Sequence, residues 1–306
     1  MVRIGEHEDV HHVRDVRRVT WIGLAANLFL AAFKIVAGVL GSSQAVIADG
    51  FNSISDTATD VAILIGVRYW TSPADETHPY GHRRIETVIT GAIAVVIAFL
   101  AGSLIYGALV GLHERHEQTV GMIAFAAAVV SILCKEVLYR WTVRVGRRAR
   151  SSAVIAKAWD HRSDVFTSMP VAAAVLGARY LPTWWFLDHI GALLVSLIIL
   201  RAGWRIGWPA LQELTDIGAP EAVRERIRAI AMATDGVLYV HAIRTRYVGP
   251  VLLADLHVKV NGAMTVREGH DISELVKERL IAEGPDIVDV VVHLEPYKGE
   301  RDANGK

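Results

Sequence analysis

Residues 154–178 read VIAKAWDHRSDVFTSMPVAAAVLGA. The stretch is long enough to cross a bilayer, yet its first half carries Asp160, His161, Arg162 and Asp164. About 20 mostly apolar residues span the hydrocarbon layer as a helix, and each ionised group placed inside costs about 2.5–3.5 kcal/mol on insertion scales. A cost of that size is borne where the charges face the protein interior and serve a pathway. Asp160 and Asp164, four residues apart, lie on one face of a helix about a turn from each other. The segment ADGFNSISD, residues 48–56, repeats the spacing with Asn52 and Asp56. Asp49, Ser53, Ser55, Thr57, Thr59 and Asp60 make that second segment more polar than helix packing requires.

Working outward, apolar segments of spanning length fall near residues 19–40, 43–68, 86–112, 119–141, 154–178 and 185–206, and they stop after Trp208. The composition agrees: 52% hydrophobic with 21% charged residues and a mean hydropathy of +0.33, the average of a membrane part and a wet part. Basic and acidic residues balance at 32 each, so no global charge points to nucleic acid. The first 20 residues are polar, an order that no cleavable signal peptide has. Cys134 is the only cysteine, which excludes an intrachain disulfide or a thiolate cluster; in its apolar run it reads as a small buried hydrophobe. From residue 210 the periodicity changes. PEAVRERIRAIAMA reads as an amphipathic helix, VLYVHAIRTRYVGPVLLADLHVKV as two strands joined at Val248-Gly249-Pro250, TVREGHDISELVKERLIAEG as a helix and DIVDVVVHLEP as a third strand. The expected architecture is a six-helix transmembrane domain over residues 1–209 and a small α+β domain of α-β-β-α-β order over 210–306.

Orientation follows from Lys and Arg near the spans. Arg14, Arg17 and Arg18 precede the first span, Arg83 and Arg84 lie in the second loop, and Arg144, Arg147, Arg148 and Arg150 in the fourth; the odd loops hold mainly Arg115 and Arg179. Both termini are therefore expected in the cytoplasm. With the second span entering from outside and the fifth from inside, Asn52, Asp56, Asp160 and Asp164 reach similar depth. They offer one amide oxygen and three carboxylates, an all-oxygen set for a divalent cation. The alternative is capping or interhelical hydrogen bonding by isolated polar residues.

ADGFNSISD, AWDHRSD (158–164), PADETHPYGHRRIE (73–86) and a tail with RTR (244–246) and HLEP (293–296) resemble the cation diffusion facilitator family over about residues 15–297. The resemblance implies a homodimeric, proton-coupled exporter of divalent transition metals in the lipid bilayer, with a ferredoxin-like cytoplasmic domain and a transport site at Asn52, Asp56, Asp160 and Asp164. The metal is substrate, no organic cofactor is implied, and the expected place is a bacterial inner (plasma) membrane. Zinc-selective members normally have a histidine among the four, in the places of Asn52 or Asp160. Zinc favours nitrogen and sulfur in tetrahedral geometry, whereas Mn2+ accepts more oxygen ligands, so the set tilts toward Mn2+ and resembles the bacterial manganese exporter branch. Zn2+ or Fe2+ export, or a non-transporting membrane metal sensor or scaffold, are the alternatives. A membrane metalloenzyme would need a motif such as HExxH, which does not occur.

Three further sets follow. Asp75, His78 and His82 can close on one cation if their loop turns, and match a second metal site of some members; otherwise they are a polar loop capping the third span. His257 shares a strand face with Asp255 and Lys259, and His293 with Glu295. Together with His241 and His270 these match the family's cytoplasmic metal cluster at the dimer interface, against solvated surface histidines. Arg84 and Asp216 match a charge interlock between the domains, against unrelated surface charges. His161 points about 100° away from Asp160 and reads as an interfacial or packing residue. Lys135 and Glu136, near the cytoplasmic end of the fourth span, read as snorkelling side chains and an internal ion pair, against a role in transport.

Overall fold

The structure, a computed structural model, describes residues 5–70, 72–113, 120–148 and 151–298. Arg115 and Arg150, counted above for orientation, lie outside them. Six long helices come first: α1 (Gly5–Leu40), α2 (Gln44–Trp70), α3 (Arg84–His113), α4 (Met122–Arg148), α5 (Ser152–Tyr180) and α6 (Phe186–Leu214). Among the described residues, four are long and apolar enough to cross a membrane: α1 from Arg18, α3, α4 and α6. The other two are less apolar over such a length, with Asp49, Asp56 and Asp60 on α2 and Lys157, Asp160, Arg162 and Asp164 on α5. Length alone thus marks six helices and hydropathy four, the polar face of α2 and α5 making the difference.

Two compact units divide the chain, Met1–Ile65 with Ala92–Gly207, and Gly66–Gly91 with Trp208–Lys306. In the first, α4 packs against α1 and α5, and the core is built of small residues such as Ala45, Ala48, Ala101, Ala124, Ala128 and Val171. Small side chains let helix backbones approach closely where no water-driven force presses them together. Gly50 shows how closely: a Cβ there would lie 2.6 Å from Ile35 Cγ1 and 3.2 Å from the Ala31 carbonyl, so α2 could not sit against α1 with any larger residue. The start of α2 is held by Asp188 of α6, which accepts from Ser43 Oγ at 2.6 Å and from the backbone N–H groups of Gln44 at 2.7 Å and Ala45 at 3.4 Å. A buried carboxylate there satisfies N–H groups that the helix itself leaves unpaired. Pro170 inside α5 removes one rung of that helix's ladder. Cys134 is exposed, not buried. The inward face of α4 runs through Ala127, Ala128, Ser131, Lys135, Leu138 and Thr142, which turns Cys134 outward with Leu133 and Val137.

In the second unit α7 (Glu221–Met232), β1 (Tyr239–Val248), β2 (Val251–Val260), α8 (Val266–Glu283) and β3 (Ile287–Pro296) follow in the α-β-β-α-β order read from the sequence. The sheet order is β1-β2-β3, with β1 and β2 antiparallel and β2 and β3 parallel. Burial along β2 alternates without a break, so Leu252, Leu256, Val258 and Val260 face a core shared with Ile227, Val276 and Leu280 of the two helices. His257 and its neighbours take the other face. Thr265 and Glu268 close a reciprocal capping box at the start of α8. The β1–β2 turn uses Gly249 at φ +62°, a left-handed value that favours glycine.

Candidate metal sites

On α2, Asn52 is buried and Asp56 half-buried, four residues apart on one face. On α5 the Asp164 side chain is 13% exposed and that of Asp160 69%. The structure does not draw Asp56, Asp160 and Asp164 into a tight carboxylate cluster, and a lysine stands beside two of them. Lys135 Nζ of α4 donates to Asp164 Oδ2 at 2.5 Å and to Asn27 Oδ1 of α1 at 2.7 Å. Lys157 Nζ donates to Asp60 Oδ2 at 2.5 Å and stands 3.7 Å from Asp160 Oδ2. Asp56 feels the charges of Asp164, Lys135, Lys157 and Asp160, which places all five groups in one electrostatic neighbourhood.

Nearby, Lys34 pairs with Asp49 at 3.0 Å and donates to Ser53 Oγ at 2.8 Å, while Ser168 Oγ donates to Asp49 Oδ2 at 2.8 Å. That fully buried network joins α1, α2 and α5. Lys135 is 1% exposed, so it does not snorkel, and its ion pair is with Asp164 of α5. Glu136 instead accepts from Arg140 at 2.7 Å and lies 3.7 Å from Arg162. The polar partners on α1 were missed in sequence. The signal is present: Asn27 and Lys34, seven apart, fall on one face of the apolar part of α1 that follows Arg18. His161 is buried against α1, its Nε2 lying 3.4 Å from where a Cβ on Gly23 would be, and its Nδ1 has no hydrogen-bond partner among the described residues. It packs.

The loop before α3 does turn. Asp75 Oδ1 accepts from the backbone N–H groups of Thr77 at 2.9 Å and His78 at 2.7 Å, and Gly81 at φ +82° reverses the chain. The turn brings His82 Nε2 to 3.3 Å from Asp75 Oδ2 and the two imidazole rings to 4.4 Å. One donor atom from each of Asp75, His78 and His82 lies within 4.8 Å of the others. His82 Nδ1 is 3.2 Å from the Pro73 carbonyl, which fixes the ring and leaves Nε2 for the site. The His78 amide, helped by the Thr77 hydroxyl, holds the Asp75 carboxyl down to about 2. A depressed carboxyl contributes stability above its ordinary value of 3.8 that is lost as pH falls toward 2, so this ligand stays anionic at any physiological pH.

On the exposed face of the sheet the register sets His241 against His257 and His257 against His293. A bulge between His241 and Arg244, with Ala242 at φ +50°, ends the simple alternation of β1 just beyond His241. Both Glu295 oxygens are used: His241 Nε2–H donates at 3.0 Å and His257 Nδ1–H at 2.8 Å. His293 Nε2 is 3.8 Å from the same carboxylate. His241, His257 and Glu295 form a second group with donor atoms within 4.8 Å. The hydrogen bond from His241, then that from His257, holds Glu295 below the usual carboxyl range, stability that is lost as pH falls through the lowered value. His270 lies exposed on α8 and outside this group.

Arg84 Nη2 donates to Asp216 Oδ1 at 2.6 Å, joining the start of α3 to the residues after α6. Both side chains are about half exposed, and exposed pairs are worth roughly 0–1 kcal/mol. Arg84→Ala should therefore move the unfolding midpoint of the detergent-solubilised protein by no more than about 4 °C; a larger fall in a thermal melt would show that the pair carries more than its surface setting provides.

The chain combines helices of spanning length, the Asp49 and Asp164 carboxylates turned inward, with two oxygen-and-imidazole clusters, a combination suited to handling metal cations. Residues 20–215 match the cation efflux transmembrane domain and residues 219–297 the cation efflux protein cytoplasmic domain, so the chain belongs to the cation diffusion facilitator (cation efflux) family. It is 32% identical to an uncharacterized transporter of Methanocaldococcus jannaschii over 88% of this chain and 94% of that protein. Identity to the manganese efflux system protein MneP of Bacillus subtilis is 28% over 92% and 96% of the two chains. To the magnetosome protein MamM of Paramagnetospirillum magneticum it is 34% over 85% and 82%. The protein is a divalent metal cation efflux transporter, and the metal is its cargo.

Proposed function

We propose that this transporter exports Mn2+ from the cytoplasm in exchange for protons, through a site built from Asn52, Asp56, Asp160 and Asp164. The observation that carries the reading is the chemistry of that set: one amide and three carboxylates, all oxygen, with no imidazole among the four. Oxygen donors suit Mn2+ better than they suit tetrahedral zinc. Two manganese efflux proteins of Bacillus subtilis, MneP and MneS, are among the relatives, at 28% and 30% identity. Carboxylates also supply the coupling, since each binds metal when ionised and carries a proton when not. All six long helices span the bilayer in this reading, residues 1–209 form the transport domain, and both termini lie on the cytoplasmic side of a bacterial inner membrane. Residues 210–306, which contain the match to the cytoplasmic domain model named for dimerisation, join two copies. The test is uptake of Mn2+, Fe2+, Zn2+ and Cd2+ by inverted vesicles under one proton gradient. Preference for Mn2+ is expected; preference for Zn2+ would overturn the assignment of cargo.

Metal at the cytoplasmic cluster is the second part of the reading, through His241, His257, His270, His293 and Glu295. Imidazole must be neutral to bind a metal, so binding should weaken as pH falls. Titration calorimetry on the full chain with Asp164→Asn, which removes a carboxylate of the transport site, should show one class of binding lost when His257→Ala and His293→Ala are combined. Unchanged heat would contradict the cluster. Asp75, His78 and His82 are proposed as a third site that tunes coupling.

A further inference from the structure

Lys135 is a feature of the membrane site that an all-oxygen ligand set does not call for. Its ammonium is sealed between α1, α4 and α5, with Asn27 2% and Lys135 1% exposed, and it sits on the carboxylate proposed to receive the metal. We propose that Lys135 is a tethered cation that occupies the metal's place on Asp164 between transport cycles, so that an entering divalent cation displaces the ammonium and the ammonium in turn helps expel the cation. The inference rests on the assignment of Asp164 to the transport site.

Asp56, Asp160 and Asp164 share a neighbourhood, and without a cation near them their like charges repel in a setting of low dielectric. Lys135 supplies the missing positive charge while the site waits. When a divalent ion takes Asp164, the ammonium stays buried: its side chain does not reach solvent, and among the described residues its other hydrogen-bond partner is Asn27 Oδ1, a neutral acceptor. The bound state then holds an ammonium that has lost its counter-ion, which makes metal binding shallower. A carrier needs that shallowness, because conduction and release fail when a site binds too tightly. Lys157 does not play the same part, since it is 29% exposed and already held by Asp60. Lys34 does not either, since its partner Asp49 is outside the proposed ligand set.

The test is Mn2+ binding to, and Mn2+ transport by, the full-length protein carrying Lys135→Gln, Lys135→Met or Asn27→Asp. Removing the tethered charge should tighten Mn2+ binding about tenfold, a change of about 1.4 kcal/mol, and should lower KM and kcat together because release slows. Asn27→Asp keeps the volume and gives the ammonium a permanent carboxylate, so it should tighten binding in the same direction even if the lysine variants do not assemble. Arg162→Gln removes a positive charge from α5 that stands over the Tyr139 ring and not on a ligand; its affinity should change less than threefold. Unchanged or weaker Mn2+ binding in the folded Lys135 variants, or in Asn27→Asp, overturns the proposal, as does equal tightening in Arg162→Gln. Asp164→Asn separates the two readings: normal transport there removes the site itself, whereas lost transport with neutral Lys135 variants removes only the role of the lysine.

Discussion

Inverted vesicles carrying Asp160→Ala should accumulate no more Mn2+ than vesicles without the protein, and Asp56→Ala and Asp164→Ala should be equally inactive. The three substitutions differ in what else they disturb. The Asp160 side chain is 69% exposed and its nearest cation stands 3.7 Å away, so its loss costs little folding stability and a dead transporter there points to lost metal binding. Asp164→Ala is different. It leaves Lys135 buried without its counter-ion, and removing one partner of a buried pair costs about 3–5 kcal/mol, enough to lower the yield of assembled protein. Combining Asp164→Ala with Lys135→Met removes both charges and should restore assembly, read by gel filtration in detergent, while uptake stays at background. Near-normal Mn2+ uptake by Asp160→Ala would sink the proposed site, because that variant has no folding defect to hide behind.

The residues that were legible in the sequence are those whose pattern is local. Apolar length placed all six long helices to within a few residues at most ends, although it did not register that α1 begins at Gly5, that α4 runs on to Arg148 and α6 to Leu214. Period-two alternation set His257 and His293 on the exposed face of the tail's sheet, and the structure adds the register that puts them side by side. Spacing put Asp75, His78 and His82 within reach of one another only on condition that their loop turns, and that turn is made by the Asp75 carboxylate itself. What was not legible depends on helices distant in sequence. Lys135 was read from its position near a helix end, where snorkelling is common; nothing in α4 reveals that Asn27, 108 residues earlier, and Asp164, 29 residues later, surround it. Lys34 went unnoticed for the same reason, its partner Asp49 being set by how closely α1 meets α2 at Gly50. Cys134 was misplaced because an apolar run has no inside until its neighbours are known. In a membrane bundle hydrophobicity marks the lipid face as much as the core, so the small and polar residues carry the packing information.

The donor at position 160 should decide metal preference. Asp160→His should shift transport from Mn2+ toward Zn2+, since an imidazole gives the site a nitrogen ligand and better tetrahedral zinc chemistry. The exposed Asp160 side chain leaves room for the larger ring, so the substitution tests chemistry with little packing penalty. Asn52→His offers the same nitrogen from α2, but Asn52 is 7% exposed, and forcing extra volume into a packed position costs about 1–3 kcal/mol. Added to Asp160→His it should shift the preference further while lowering the amount of folded protein. The measurement is paired Mn2+ and Zn2+ uptake by inverted vesicles, normalised to transporter content, with the ratio as the readout so that differences in yield cancel. A tenfold change in that ratio corresponds to about 1.4 kcal/mol, within reach of exchanging one oxygen ligand for nitrogen. Should the ratio stay fixed in both variants, or should the unmodified protein already prefer Zn2+, ligand type does not set the cargo, and selection must come from how closely α2 and α5 bring their donors together.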